Sequence, residues 1–182
     1  MIYNPASSST STALGATFTL TYGDGSSVQG YEYTDTVTVS GLTATQQTLG
    51  AATTYSTGFS STYSPPDGLM GLAWEQLSVY GANGFFQTLV AEGQVTSSVF
   101  GFKLATSGSE LYLGGVDTSL YTGTMTWTPV TQEVRHRTCI VVFSSIDQGI
   151  VRLIGKLIWV VSPPTEPLSY LLLPLLLIQV RL

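Results

Sequence analysis

Two runs of alternating apolar and polar residues, joined by a short Asp-Gly segment, restrict the possible folds of this chain most strongly. The first run covers Ala16–Tyr22 and the second covers Tyr31–Ser40. Alternation with a period of two is typical of strands that bury one face. The intervening Asp24-Gly25 pair favours a tight hairpin turn, since both residues tolerate positive φ. With a further strand predicted at Thr43–Gly50, the N-terminal part is predicted to be an antiparallel meander.

The rest of the chain contains one helical pattern and several short strand patterns. Asn83–Glu92 predicts a helix, with Asn83 as its N-cap and Gly93 as its terminator. Asp67–Ala73 is apolar on both faces and predicts a buried strand or crossing. The apolar face of the helix would consist of Phe85, Phe86, Leu89 and Val90. Further strands are predicted at Val99–Leu104, Glu110–Leu113 and Met125–Pro129. The predicted fold class is therefore mainly β.

Charge and composition both change near Glu133. Residues 1–132 contain eight acidic side chains and one basic one, whereas residues 133–182 contain three acidic and five basic ones. The first part is rich in Thr, Gly and Tyr, and the second in Val, Ile and Leu. Without a basic face, the chain is not expected to bind nucleic acid. We predict a β domain over residues 1–132 and a hydrophobic tail over residues 133–182 that is poorly integrated with it.

The tail shows no pattern of a membrane span or an active site. Leu171–Ile178 is strongly apolar, but it contains Pro174 and is shorter than the roughly 20 residues of a transmembrane helix. Cys139 is the only cysteine, so it forms no internal disulfide and has no visible catalytic partner. His136, between two arginines, is interpreted as part of a solvated cluster. No metal-ligand spacing or phosphate-binding glycine loop is present, so no cofactor is expected, and no signal peptide is visible.

Six segments in succession carry a family resemblance. They are YNPASSST, TLTYGDGSSVQGYEYTDTVTVSG, PDGLMGLAW, FGFKL, ELYLGGVD and YTGTMTWTPV. Their order and spacing resemble the pepsin-like aspartic peptidases, most of all the secreted fungal members, over about residues 3–132. The resemblance implies an incomplete bilobal acid-protease fold, with most of the N-terminal lobe after its first catalytic loop and the start of the C-terminal lobe. It also implies an extracellular parent enzyme with peptide or protein substrates.

The resemblance assigns substrate-binding roles to four residues. The hairpin around Asp24 corresponds to the family's flap, a lid that closes over the bound peptide and excludes water. Tyr22 would border the first subsite, and Gly23 and Asp24 would hydrogen-bond the substrate. Leu69, in the Leu-Met-Gly step, would be a core residue that faces a subsite.

The resemblance assigns no catalytic residue to this chain. The family activates water with two aspartates that share one proton, and each lies in an Asp-Thr-Gly or Asp-Thr-Ser loop. By family spacing, one loop would precede the YNP segment and the other would follow WTPV. Asp117 also lies in an Asp-Thr-Ser sequence, but it corresponds to an interlobe turn. Asp35, before Thr36, is interpreted as a solvated strand carboxylate. The chain is therefore expected to be inactive alone.

Two functions from different classes remain open at this point. The first is a fragment of a pepsin-like aspartic endopeptidase. The second is a non-catalytic β-rich module that binds peptide or carbohydrate through the hairpin or through exposed aromatic residues. Neighbouring genomic sequence that encodes the two Asp-Thr-Gly loops would favour the first.

Overall fold

The computed structural model describes residues 3–59, 68–103, 107–123, 125, 150–154 and 177–180. The chain divides into two compact units, Met1–Gln94 with Pro174–Leu182, and Val95–Leu173. The strands are β1 (Thr12–Thr21), β2 (Ser27–Val39), β3 (Leu42–Tyr55), β4 (Gly68–Gly71), β5 (Val99–Lys103), β6 (Glu110–Leu113), β7 (Ile150–Ile154) and β8 (Leu177–Val180). One α-helix, α1 (Phe85–Ala91), and four short 3₁₀ turns complete the described elements. The prediction of a mainly β chain is confirmed.

The first unit contains the predicted meander. Strands β1, β2 and β3 form an antiparallel sheet in sequence order. The turn between β2 and β3 pairs Val39 with Leu42 and has positive φ at Ser40 (51°) and Gly41 (82°). Positive φ at both central residues defines the type I′ turn, whose twist matches that of the flanking strands. The sheet therefore follows from local alternation and turn chemistry.

On β1 one face is buried, as the alternation predicts, but on β2 the apolar Tyr31 is 53% exposed whereas Glu32 is buried. Phe18 is buried and Leu20 is half-buried, whereas the alternating threonines Thr17, Thr19 and Thr21 are exposed. On β3, Ala44 and Gln47 are buried, and α1 packs against this strand. The core of the first unit consists of Phe18, Ala44, Ala51, Met70, Leu72, Trp74, Phe85, Phe86 and Leu89.

Helix α1 is confirmed, but its start differs from the prediction. The N-cap is Gly84, which makes no side-chain capping bond, and Asn83 lies one residue before it, where its backbone carbonyl accepts from Nε2 of Gln47 at 3.0 Å. The predicted end is confirmed: Gly93 has φ 67°, and the amides of Gly93 and Gln94 donate to the last turn of the helix. This pattern is a Schellman motif. The helix buries Phe85, Phe86 and Leu89.

Strand β4 is less buried than the sequence predicts. Its partner is β8, with Leu69 opposite Gln179 and Met70 opposite Ile178. Only Met70 is buried, and Leu69 is 36% exposed. The expectation that Leu69 is a core residue is therefore wrong, because this strand buries only one of its two faces.

The second unit contains a three-stranded sheet in the order β6-β5-β7, antiparallel throughout. The strands predicted at Val99–Leu104 and Glu110–Leu113 are confirmed as β5 and β6. The strand predicted at Met125–Pro129 lies outside the described residues except for Met125, as do His136 and Cys139. Among the helices that the structure does describe, none combines the length and the hydrophobicity needed to cross a membrane.

The predicted tail contributes two of these strands. Strand β7 pairs with β5 over five residue pairs, and β8 pairs with β4 over four. These pairings cover nine residues of the tail and the rest lies outside the described residues, so the expectation that the tail is poorly integrated with the β domain stays a prediction. A strand edge with unpaired amides and carbonyls is an available template for pairing, and periodicity alone does not show which edge a distant segment will occupy.

Candidate functional site: the β1–β2 hairpin

The tip of the β1–β2 hairpin is a tight turn at the predicted position. The amide of Tyr22 donates to the Ser26 carbonyl at 2.8 Å, and the amide of Gly25 donates to the Tyr22 carbonyl at 3.0 Å. Gly25 has φ 83°, whereas Asp24 does not have positive φ. The turn is therefore a type I turn followed by a left-handed glycine. Gly23, Asp24 and Gly25 are all exposed, so the tip projects into solvent.

The Asp24 carboxylate is fixed by its own turn. Oδ1 accepts from the Ser26 hydroxyl at 2.6 Å and from the Ser26 amide at 2.9 Å. These two bonds lower the pKa of Asp24 below its ordinary value, and the bond from the Ser26 hydroxyl has the larger effect. The hairpin thus carries a fixed negative charge at its tip. The predicted contacts of Gly23 and Asp24 with a substrate remain predictions.

Tyr22 lies at the base of the tip against a second aromatic ring. Its ring centroid is 5.1 Å from that of Phe59, with the planes tilted by 50°. Phe59 ends a 3₁₀ turn after β3, and reciprocal bonds of 2.9 Å between Ser27 and Ser56 hold this turn beside β2. Burial raises the pKa of Tyr22, and the Asp24 carboxylate adds to the increase. Tyr22 is half-buried, and its predicted position at the first subsite stays a prediction.

Three residues form a cluster on the inner face of the sheet, in which Phe18 is buried and Tyr80 and Gly50 are half-buried. The rings of Phe18 and Tyr80 meet edge to face, with centroids 5.3 Å apart. Both lie above Gly50, where an added Cβ would collide with Cε1 of Phe18 and with the Tyr80 hydroxyl. Burial is the main cause that raises the pKa of Tyr80 to about 12, and the Tyr22 phenol and the Glu32 carboxylate add to the increase. Tyr80 therefore stays neutral at any physiological pH.

Glu32 lies on the same face as this cluster. It pairs directly with Gly50 across the β2–β3 ladder, and directly opposed residues project to the same side of a sheet. Its side chain is only 9% exposed. No sequence pattern points to Glu32, Tyr80 or Phe59. The available signal was Gly50, because a glycine inside a strand often marks a close approach by another group.

Asp35 is not the solvated strand carboxylate that the sequence suggested. It is 3% exposed and accepts hydrogen bonds from Tyr3 at 2.7 Å, from Ser8 at 3.0 Å and from Thr10. The amide of Thr36 donates to the same carboxylate at 2.7 Å. Burial opposes ionisation, but these bonds outweigh it and lower the pKa of Asp35. Asp35 therefore anchors the N-terminal segment to β2.

The remaining sequence-derived residues lie elsewhere. Leu69 is on β4, and no observation tests its predicted subsite role. Asp117 caps a 3₁₀ turn, accepting from the Ser119 amide at 2.8 Å. Within the described part of the chain, no three His, Cys, Asp or Glu residues are grouped so that they could hold a metal ion.

Comparison with known proteins identifies the family of this chain, including the hairpin. The chain matches the model of the eukaryotic aspartyl proteases over residues 1–150. It is 51% identical to an aspartic protease of Phaffia rhodozyma over 117 residues, which is 64% of this chain and 28% of that protein. It is 43% identical to the gastricsins of Callithrix jacchus and Homo sapiens over 136 residues, which is 72% of this chain and 34% of each gastricsin. The chain thus spans about a third of the length of these curated relatives. It belongs to the eukaryotic aspartyl protease family.

Proposed function

We propose that this chain supplies the peptide-gripping hairpin of a secreted pepsin-like aspartic endopeptidase. The observation that carries the proposal is the β1–β2 hairpin, in which an exposed tip stands over an aromatic pair formed by Tyr22 and Phe59. The hairpin lies within the range that matches the family. The substrate is an extended peptide.

The hairpin offers a peptide two kinds of contact. The exposed backbone of Gly23 supplies hydrogen-bonding groups, and the Tyr22–Phe59 pair supplies an apolar wall for one side chain. Because Ser26 already holds Asp24, little conformational freedom is lost at the tip on binding. A lid of this kind orients the peptide and excludes water from the reacting bond.

Water activation requires two carboxylates that share one proton, and the two Asp-Thr motifs of this chain do not suit that task. Asp35 is occupied by four hydrogen-bond donors, and Asp117 is occupied as the cap of a turn. We therefore assign substrate binding, rather than hydrolysis, to these 182 residues. We keep residues 1–132 as the peptidase part and residues 133–182 as the tail, although the family match continues to residue 150.

Peptide binding and peptide hydrolysis are tested separately on the purified 182-residue chain. An apolar peptide is titrated against the chain by calorimetry, and denatured protein is incubated with it at acidic pH, with and without a transition-state-mimicking aspartic peptidase inhibitor. We expect binding without inhibitor-sensitive cleavage. Tyr22→Ala should weaken binding roughly tenfold, as expected for the loss of an aromatic contact.

The matched control is Tyr31→Ala, because Tyr31 is an exposed tyrosine of the same sheet outside the aromatic cluster. This variant should bind like the unmodified chain. Equal loss of binding in both variants, or no binding by the unmodified chain, would contradict the gripping role. Inhibitor-sensitive cleavage would contradict the assignment of hydrolysis to residues outside this chain.

A further inference from the structure

The chain contains two asparagines, and their side chains have different surroundings. The side-chain amide of Asn4 is bonded at both ends: its oxygen accepts from the Ala6 amide at 3.1 Å, and its nitrogen donates to the Ser7 hydroxyl at 3.0 Å. Asn83 is exposed, and its side-chain amide makes no hydrogen bond to any described residue. The Asn83 side chain is therefore not held away from the peptide bond that follows it.

The residues that follow the two asparagines also differ. Asn83 precedes Gly84, whose amide nitrogen donates to no acceptor in the described part of the chain. Glycine has no Cβ that would shield this nitrogen, and a nucleophile in the adjacent residue reacts intramolecularly. Asn4 precedes Pro5, whose nitrogen carries no proton to lose. Only Asn83 therefore has a following amide that could attack its side chain.

Gln47 increases the reactivity of the peptide group between Asn83 and Gly84. Its Nε2 donates to the Asn83 carbonyl at 3.0 Å and to the Thr48 carbonyl at 2.9 Å, and its side chain is only 7% exposed, so the donor is fixed. When the Gly84 nitrogen loses its proton, the negative charge is shared with the carbonyl oxygen of the same peptide group. A fixed donor at an oxygen that gains charge lowers the barrier of such a step.

We propose that Asn83 is a site of spontaneous deamidation promoted by Gln47, with water as the only co-reactant. The Gly84 nitrogen loses its proton and forms a bond to Cγ of Asn83. The bond from Cγ to the side-chain nitrogen breaks, and this nitrogen leaves with the proton as ammonia. Water then opens the cyclic imide at either of its carbonyl carbons, which gives aspartate or isoaspartate. This chemistry does not depend on the proposed peptide binding.

The product would weaken the contact between α1 and β3. Asn83 and Glu92 line the same groove, where the Glu92 carboxylate accepts from the amide and the hydroxyl of Thr45. Residues 1–102 contain no Lys, Arg or His that could neutralise a second carboxylate in this groove. Because like charges at close range repel each other, we expect the converted chain to unfold at a lower urea concentration.

Ageing of the purified 182-residue chain in mildly alkaline buffer tests the proposal. A glutamate-specific protease is then used in acidic buffer, and tandem mass spectrometry measures the replacement of an amino group by a hydroxyl group at each asparagine. We expect Asn83 to convert, with uptake of one oxygen from isotope-labelled water, while Asn4 stays unchanged. The rate should rise with pH, because the reacting nitrogen has to lose a proton. Gly84→Ala should slow the conversion several-fold by shielding that nitrogen.

A synthetic peptide of residues 76–92 separates the effect of the fold from that of the local sequence. Asn83 should convert at least as fast in the folded chain as in this peptide, which lacks Gln47. Gln47→Met should slow the conversion, whereas Gln46→Met is the matched control and should not, because Gln46 is exposed and makes no hydrogen bond to Asn83 in the described part of the chain.

Two comparisons that require no variant to fold decide the outcome. Equal conversion of Asn4 and Asn83, or slower conversion of Asn83 in the folded chain than in the peptide, would overturn the inference. A folded Gln47→Met variant that converts like the unmodified chain would overturn it as well.

Discussion

Three aspartates lie in short motifs that invite a functional interpretation, and their surroundings distinguish them. Asp24 is held by Ser26 at an exposed turn, and Asp117 caps another turn. Both roles are predictable, because the donors are two residues away in the sequence. Asp35 is different, since its side-chain donors Tyr3, Ser8 and Thr10 come from 25 to 32 residues earlier. Only the folded chain brings these groups together.

Replacing Asp35 by Asn should destabilise the first unit. The expected loss in free energy of unfolding near neutral pH is about 1–3 kcal/mol, because several buried donors lose a charged acceptor. The folded pKa is lowered, so this stabilisation is complete above the unfolded pKa of about 3.9 and is lost as the pH falls through the folded pKa. The difference between variant and unmodified chain should therefore shrink in acid.

Urea denaturation at near-neutral and strongly acidic pH measures this difference. Asp24→Asn is the control, because Asp24 is exposed and the amide oxygen of Asn can still accept from Ser26. Its effect should stay within about 0.5 kcal/mol, as is usual for surface positions. A pH-independent loss in Asp35→Asn would mean that shape rather than charge holds the N-terminal segment.

Gly50→Ala should also destabilise the first unit. The added methyl group would collide with the Phe18 ring and the Tyr80 hydroxyl, and overpacking of this kind costs about 1–3 kcal/mol. Gly58→Ala is the matched control, because a Cβ at Gly58 meets no atom within 4 Å. Thermal unfolding of both variants measures the effect. Equal melting temperatures would show that the cluster is loose enough to absorb a methyl group.

At the scale of elements, local patterns predicted most of the described structure. The meander, helix α1 and strands β5 and β6 follow from alternation, helical spacing and glycine positions. The predicted N-cap of α1 was one residue too early, since the helix is capped by Gly84, and Asn83 instead binds Gln47 on β3 through its backbone carbonyl. Only the turn of the candidate site was predicted from the sequence, and the residues that surround Tyr22 were not. Its turn is local, whereas Phe59 and Tyr80 come near Tyr22 only through the pairing of β2 with β3 and the packing above Gly50.

The hairpin tip provides a test at this scale. Gly25 has φ 83°, a conformation that costs an L-residue roughly 1 kcal/mol or more. Gly25→Ala should therefore distort the tip and weaken peptide binding, while the inner face of the sheet stays folded because a Cβ there meets no atom within 4 Å. Gly58→Ala again serves as control. Unchanged peptide affinity in Gly25→Ala would argue that the tip does not contact the peptide.

At the scale of the whole molecule, each unit gains a strand from the last part of the chain. Strand β7 extends the sheet of the second unit, and β8 pairs with β4 in the first. The change in charge and composition at Glu133 is real in the sequence, yet it does not coincide with the boundaries of the compact units. Composition describes which side chains a segment contains, whereas the pairing of a strand depends on which sheet edge still has unpaired amides and carbonyls.

The pairing of β8 with β4 leads to the last prediction. Gln179 lies opposite Leu69, so Gln179→Pro should disrupt this ladder, because proline lacks an amide proton and is poorly accommodated within paired strands. Gln179→Ala keeps the amide and should leave the ladder intact. Hydrogen exchange followed by mass spectrometry should show faster exchange at Gly68–Gly71 in the proline variant only, with β1, β2 and β3 unchanged. If exchange at Gly68–Gly71 is the same in both variants, β8 does not protect β4, and residues 133–182 are indeed a tail separate from the β domain.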